Sequence, residues 1–319
     1  MNPARSLRLS FSFGCALMVG GGATVGAGCA PDNSIKGGAP VMLSFGAVDP
    51  AAPSDGYGTP QYLPVDPTMP IPQRAQFLAM FDRILDPTTL EDAGGNAKAG
   101  IAALTSDVPD ATLDPVTIYT PNGDSQFHVL IPQGPSITVL AACGMPSSAN
   151  VTAALDPTKL RSHDQSTLAT LAAGVVSTLA FATAPLAVAT DLPDADSTSG
   201  VPALPVLAAD VAVNLTFNTL TPGPMSGCQL ATPLPSTATH IHVEGTLGLV
   251  PIVPLDVAVT QDPMDPTHWI VTPPGAADDG TGGSWPAGAT ITITIDAGAT
   301  DNFNRPLGTA STASFMVMS

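Results

Sequence analysis

From Thr290 to Ile295, threonine and isoleucine alternate without a break. A two-residue period puts the isoleucines on one face of a sheet and the threonines on the other. β-branched residues at every position suit a pleated, half-buried strand. Pro286-Ala287-Gly288 ahead of it predicts a turn. Asp296 to Pro306, rich in Gly, Asp and Asn, predicts a polar loop, and Ala313 to Val317 a closing strand. The same kind of run recurs along the chain. Strands are expected over 77–85, 116–119, 126–131, 136–141, 151–155, 212–217, 239–243, 252–259 and 268–271, with Pro/Gly turns between them. The run from Leu168 to Phe181 mixes helical spacing (Leu168, Leu171, Val175, Leu179) with Gly174 and β-forming valines. It is expected to end as a strand at Phe181, with a loop or short helix before it. With 34 prolines, 30 glycines and only 11% charged residues, the chain is poor in helix formers, and the fold class is all-β.

The halves of this pattern match each other at a nearly constant offset. Phe81 corresponds to Phe217 at 136 residues, Val139 to Val271 at 132, and Phe181 to Phe315 at 134. Met145-Pro146 corresponds to Trp285-Pro286, and Val151–Asp156 to Ile291–Asp296, both at 140. Two tandem domains are expected, over 73–186 and 203–319, joined by a linker over 187–202. Residues 29–72, rich in Pro and Gly, are expected to form a flexible tether; Val41 to Phe45 is the one apolar cluster there.

Trp285 to Ile293, then Thr300-Asp301-Asn302-Phe303-Asn304-Arg305-Pro306-Leu307, then Ser314 to Val317 resembles the bacterial Ig-like domain of the S-layer type (SbsA-like Ig). That family commonly carries Gly-Asn-Pro in the loop after its Asp. Phe303 to Pro306 lacks the Gly, and Arg161 to Ser166 in the first copy departs further. The resemblance implies two tandem Ig-like antiparallel β-sandwiches and an extracytoplasmic spacer or adhesion role. It carries no catalytic residues.

The N-terminus changes the picture of where the chain works. Residues 1–28 hold Arg5 and Arg8 but no acid, then an apolar, Gly-rich run, then Gly26-Ala27-Gly28 before Cys29. This is the layout of a secretory signal with a Cys at the cleavage point. It resembles a lipoprotein lipobox, with Gly26 where that pattern prefers Leu, and makes Cys29 the expected lipidation site. Removing residues 1–28 takes two of the nine basic residues and none of the 26 acidic ones, leaving a formal charge of −19. Such a chain has no basic patch for nucleic acid and gains nothing from an anionic membrane surface. A lipid on Cys29 is therefore the expected membrane attachment, in an extracytoplasmic setting. The exported chain keeps two other cysteines, Cys143 and Cys228, which invites a disulfide between the halves.

Candidate chemistry is sparse. His240-Ile241-His242-Val243-Glu244 is expected to place two imidazoles and a carboxylate on one strand face. Residues i and i+2 on a strand lie ~6.5–7 Å apart, within reach of a shared Zn²⁺. Asp301, with Asp296, Asn302 and Asn304, offers oxygen ligands for Ca²⁺, although Asx turns explain the same residues. The sequence holds no Gly-x-Ser-x-Gly elbow, phosphate loop or paired CxxC. The expected function is an envelope-anchored structural, adhesive or ligand-binding surface module, not an enzyme, with an envelope protein or polysaccharide as partner. The alternative is a metal-assisted hydrolase using His240 and His242.

Overall fold

The computed structural model describes residues 38–50, 61–66, 69–90, 98, 100–120, 135–164, 167–192, 204–225, 233–253, 255–275 and 283–319. The first set of strands is β1 (Val41–Val48), β2 (Gln76–Phe81), β3 (Ala102–Ser106), β4 (Pro115–Thr120), β5 (Ser136–Ala141), β6 (Asn150–Leu155), β7 (Thr170–Leu171) and β8 (Thr178–Ala182). They build one sheet in the order β4-β5-β2-β1-β7 and another in the order β3-β6-β8. The second set is β9 (Val188–Thr190), β10 (Val206–Leu207), β11 (Val213–Phe217), β12 (Ile241–Leu247), β13 (Val250–Ile252), β14 (Ala258–Gln261), β15 (His268–Thr272), β16 (Thr290–Ile295) and β17 (Ser311–Val317). Their sheets run β10-β17-β16-β12-β13 and β14-β15-β11-β9. Most neighbours are antiparallel. Hydrophobic-in, polar-out alternation runs along β6, β8 and β16, whereas β2 is buried from Phe77 through Phe81, with Leu78 and Met80 in a small cluster of their own.

Each pair of sheets closes on its own apolar cluster. Phe77, Phe81 and Val139 meet Val151, Leu155 and Phe181 in the first. Val213, Leu215 and Trp269 meet Ile291, Ile293, Ile295 and Phe315 in the second. Phe77 and Phe181 stack at 5.3 Å between centroids, and Trp285 meets Phe315 edge-on at 5.5 Å.

The two sandwiches share one wiring. Phe77 pairs with Val139 in the first and Val213 with Val271 in the second. Val151 pairs with Phe181, and Ile291 with Phe315. Turn bonds recur as well: Met145 N–H donates to Gln73 O at 2.9 Å, and Trp285 N–H to Ala209 O at 2.7 Å. Thr183 N–H reaches Ala149 O and Val317 N–H reaches Ala289 O, both at 2.8 Å. Ser148 and Gly288, 140 positions apart, both hold a left-handed backbone, at φ 50° and 70°.

Three expectations need correction. The stretch expected to be a tether contributes β1, whose Met42, Phe45 and Ala47 are buried in the first core. Tyr62 folds back over it: its hydroxyl meets Ser44 Oγ at 2.7 Å, and a Cβ at Gly46 would lie 2.3 Å from its ring. Pro and Gly on either side masked a strand held by tertiary pairing, and Ile71 and Gln73 are buried too. The expected linker contributes β9, which pairs with β11, and Leu186 already lies in the second core. The crossing is therefore shorter, from β8 at Ala182 to Leu186. Finally, the strand expected over 252–259 divides into β13 and β14, which join different sheets. Pro254, which has no N–H for a ladder, stands between them. The strand expected over 126–131 lies outside the described residues.

Ile293 is fully buried, while Thr292 is half-buried and bonds Ser314 across the sheet at 3.0 Å. Ile293→Ala should cost about 2–5 kcal/mol through the cavity it leaves. Thr292→Ala should cost under about 1 kcal/mol. Urea unfolding of the two variants measures the contrast; equal losses would contradict the register.

Candidate functional site: a clasp between the sandwiches

The loop after β16 is closed on itself before it touches anything else. Asp301 N–H donates to Arg305 O at 3.0 Å, and a bridge pairs Thr300 with Pro306. Asp301 Oδ1 accepts the N–H groups of Phe303 and Arg305, both at 2.9 Å. Asn304 takes the left-handed backbone at φ 61°, which Asn tolerates better than most residues. This is an Asx-type turn, in which a carboxylate replaces backbone carbonyls as acceptor.

The other carboxylate oxygen reaches into the first sandwich. Asp301 Oδ2 accepts Ser147 N–H at 2.7 Å, a buried bond between residues 154 positions apart. Arg305 grips the same turn by its carbonyls. Its Nε donates to Ser147 O and its Nη2 to Ser148 O, each at 3.0 Å. The backbone of Ser147 is thus held by an anion at its N–H and a cation at its C=O, and charge-assisted bonds are the stronger kind. Between the two grips, Phe303 is buried as part of the first sandwich's apolar cluster.

Neighbouring groups extend the junction. Gln73 Nε2 donates to Ser147 Oγ at 3.1 Å and to the carbonyls of Ala184 and Pro185 at 2.7 and 3.2 Å. That ties the acceptor turn to the crossing segment. Arg74 stands 3.7 Å from Asp265, but this pair is substantially exposed and contributes little. Burial pushes the Asp301 carboxyl above its usual range, and the N–H bonds from Arg305, Ser147 and Phe303 oppose it without cancelling it.

The first sandwich carries the same loop in a different chemistry. Ser162 N–H donates to Thr167 O at 2.9 Å, and Arg161 bridges Leu168 as Thr300 bridges Pro306. Ser162 Oγ, in the place of the Asp301 carboxylate, accepts Thr167 N–H at 3.3 Å and bonds Asp164.

Asp301 spends its oxygens on three N–H donors, which present positive hydrogen where a cation would sit. His240 ends a 3-10 turn over Thr237–His240 instead of lying on β12. His242 and Glu244 are exposed on β12. Asp296 joins the histidines, with its Oδ2 at 2.9 Å from His242 Nε2 and 4.0 Å from His240 Nδ1. Among the described residues no group of three or more His, Cys, Asp or Glu side chains is arranged to hold a metal ion. Cys143, two residues before Met145, is disulfide-bonded; Cys228 and Cys29 lie outside the described residues. No helix among the described residues is long and apolar enough to cross a membrane.

No family model matches the chain, and no curated protein matches it. Among solved structures, the N-terminal part of the bacterial S-layer protein SbsC is similar at a TM-score of 0.28 and 11% identity, over 88% of this chain and 44% of that one. The titin A168169 structure is similar at 0.21 and 8%, over 88% of this chain and 98% of that one. The chain therefore spans less than half of the SbsC structure.

A carboxyl group whose folded-state pKa is raised stabilises the fold most below its unfolded-state value, and the contribution is lost as pH rises through the folded-state pKa. Wild type should therefore lose stability relative to Asp301→Asn between pH 3 and pH 7. Urea unfolding of both proteins at several pH values measures the difference, and a gap that moves in wild type's favour with rising pH would contradict the burial argument.

Proposed function

We propose that the chain is an envelope-anchored lipoprotein whose two Ig-like sandwiches form a stiff structural or adhesive surface module. The observation that carries this reading is the clasp itself. A buried Asp, an Arg and a Phe are committed to holding one sandwich against the next, an investment suited to transmitting position or force. In the membrane-proximal part, a lipid on Cys29 supplies the attachment that a chain of charge −19 cannot obtain from anionic lipids. The two sandwiches act as tandem copies of one domain, each with its own core. Cys228 is the partner of Cys143 in this reading. Cys143 adjoins Gly144, where an added Cβ would lie 3.2 Å from Thr219 Oγ1, on the segment that leads toward Cys228. The bond would lock the clasp covalently in an oxidising compartment. Envelope protein or polysaccharide is the partner class. The hydrolase alternative rests on His240 and His242, whose third partner, Asp296, is a half-exposed carboxylate already bonded to one of them.

Cys29→Ser should move the protein from the membrane fraction to the soluble fraction. Fractionation after a high-salt wash is the measurement, and retention of the variant on membranes would refute the lipid anchor.

A further inference from the structure

The acceptor side of the clasp exists twice. In the first sandwich it is the turn Met145 to Ala149, where Pro146 and Ser147 are buried and the second sandwich's loop bonds Ser147 and Ser148. Its counterpart in the second sandwich is Trp285 to Ala289. The anchor residue is buried in both, Met145 in one and Trp285 in the other. The left-handed residue recurs, as Ser148 and Gly288. The covering does not recur: Pro286 is half-buried and Ala287 is exposed.

The groups that the clasp uses are open in this second turn. In the first sandwich they are the N–H of Ser147 and the carbonyls of Ser147 and Ser148. The equivalents are the N–H of Ala287 and the carbonyls of Ala287 and Gly288. None of these has a hydrogen-bond partner among the described residues. All of them are backbone groups, so exchanging Ser147 for Ala287 and Ser148 for Gly288 leaves the chemistry intact.

We propose that the turn Trp285–Ala289 is a docking site for a further Ig-like sandwich whose polar loop carries the Asp–x–Phe–x–Arg pattern of Asp301 to Arg305. The carboxylate of that loop takes the Ala287 N–H, and its guanidinium takes the two carbonyls. The occupant is not a second copy of this chain. The Asp301 loop of such a copy is committed to its own Ser147, and its other loop has Ser162 where the carboxylate belongs and Thr167 where the Arg belongs. The direction of assembly is fixed in the same way, since the first sandwich lacks the donor loop and the second presents an open acceptor. This deepens the reading of the chain as a structural module, but the contact is tested without any membrane measurement.

The test lengthens the full chain at Ser319 with a second copy of residues 186–319, so that an intact Asp301 loop follows the open turn. Ala287→Ser in the original turn, which mimics Ser147, marks its peptide by mass. Hydrogen exchange of the marked turn should slow by at least about tenfold relative to the unlengthened chain. It should return to the original rate when the added copy carries Asp301→Ala. No slowing with a folded added copy, or slowing that survives Asp301→Ala, overturns the proposal. Should the added copy fail to bury its tryptophans, a cyclised peptide of Thr300 to Leu307 decides the matter. At millimolar concentration it should shift the amide resonances of Ala287 and Gly288, and a peptide of scrambled order should not; equal effects, or none, overturn the proposal.

Discussion

A carboxylate taken out of water has to be surrounded by donors, and the junction between the sandwiches follows from how Asp301 meets that demand. Two of its donors come from its own loop and the third from the other sandwich. The first two force the chain into a tight turn, with Asn304 in a left-handed conformation. That turn aims Arg305 at the carbonyls of Ser147 and Ser148 and buries Phe303 in the neighbouring core. Removing the carboxylate would leave several N–H groups short of an acceptor at once, and unpaired buried donors cost more than the bond itself contributes. The junction is thus cooperative, since each contact presupposes the loop shape that the carboxylate imposes.

The two sandwiches show what that single residue decides. Both loops close by comparable backbone bonds, the first over one more residue, but Ser162 has only a hydroxyl to offer. A hydroxyl can close a loop, but it cannot span to a second domain and bring a compensating Arg with it. One loop is therefore a turn and the other a joint. A few residues thus make one loop a donor that reaches across and leave the other a plain turn.

Strand identity was largely legible. The alternation in Thr290–Ile295 fixes which face is buried, and the offsets of 132–140 residues brought together positions that hold equivalent places in the sheets. What was not legible depends on partners far away in the chain. β1 sits in a Pro/Gly-rich stretch and becomes a strand because β2 and β7 flank it. β9 lies in an Asp- and Pro-rich connector and forms against β11. The role of Asp301 was hidden for a different reason. A carboxylate among Asn residues has the same local composition whether it accepts N–H groups or binds a cation, and only the arrival of the Ser147 N–H distinguishes them. His240 and His242 both approach Asp296 Oδ2, but a 3-10 turn ends at His240, so only His242 lies on β12.

The clasp should make the two sandwiches one rigid body, and a distance distribution between them tests this most directly. Spin labels introduced as non-natural residues at the exposed positions Ala103 and Thr260, one on each sandwich, would be read by double electron–electron resonance. A single narrow distribution is expected in the wild-type chain, widening markedly when Asp301→Ala removes the carboxylate. A broad distribution in the wild-type chain, or a narrow one that Asp301→Ala leaves unchanged, would contradict the account.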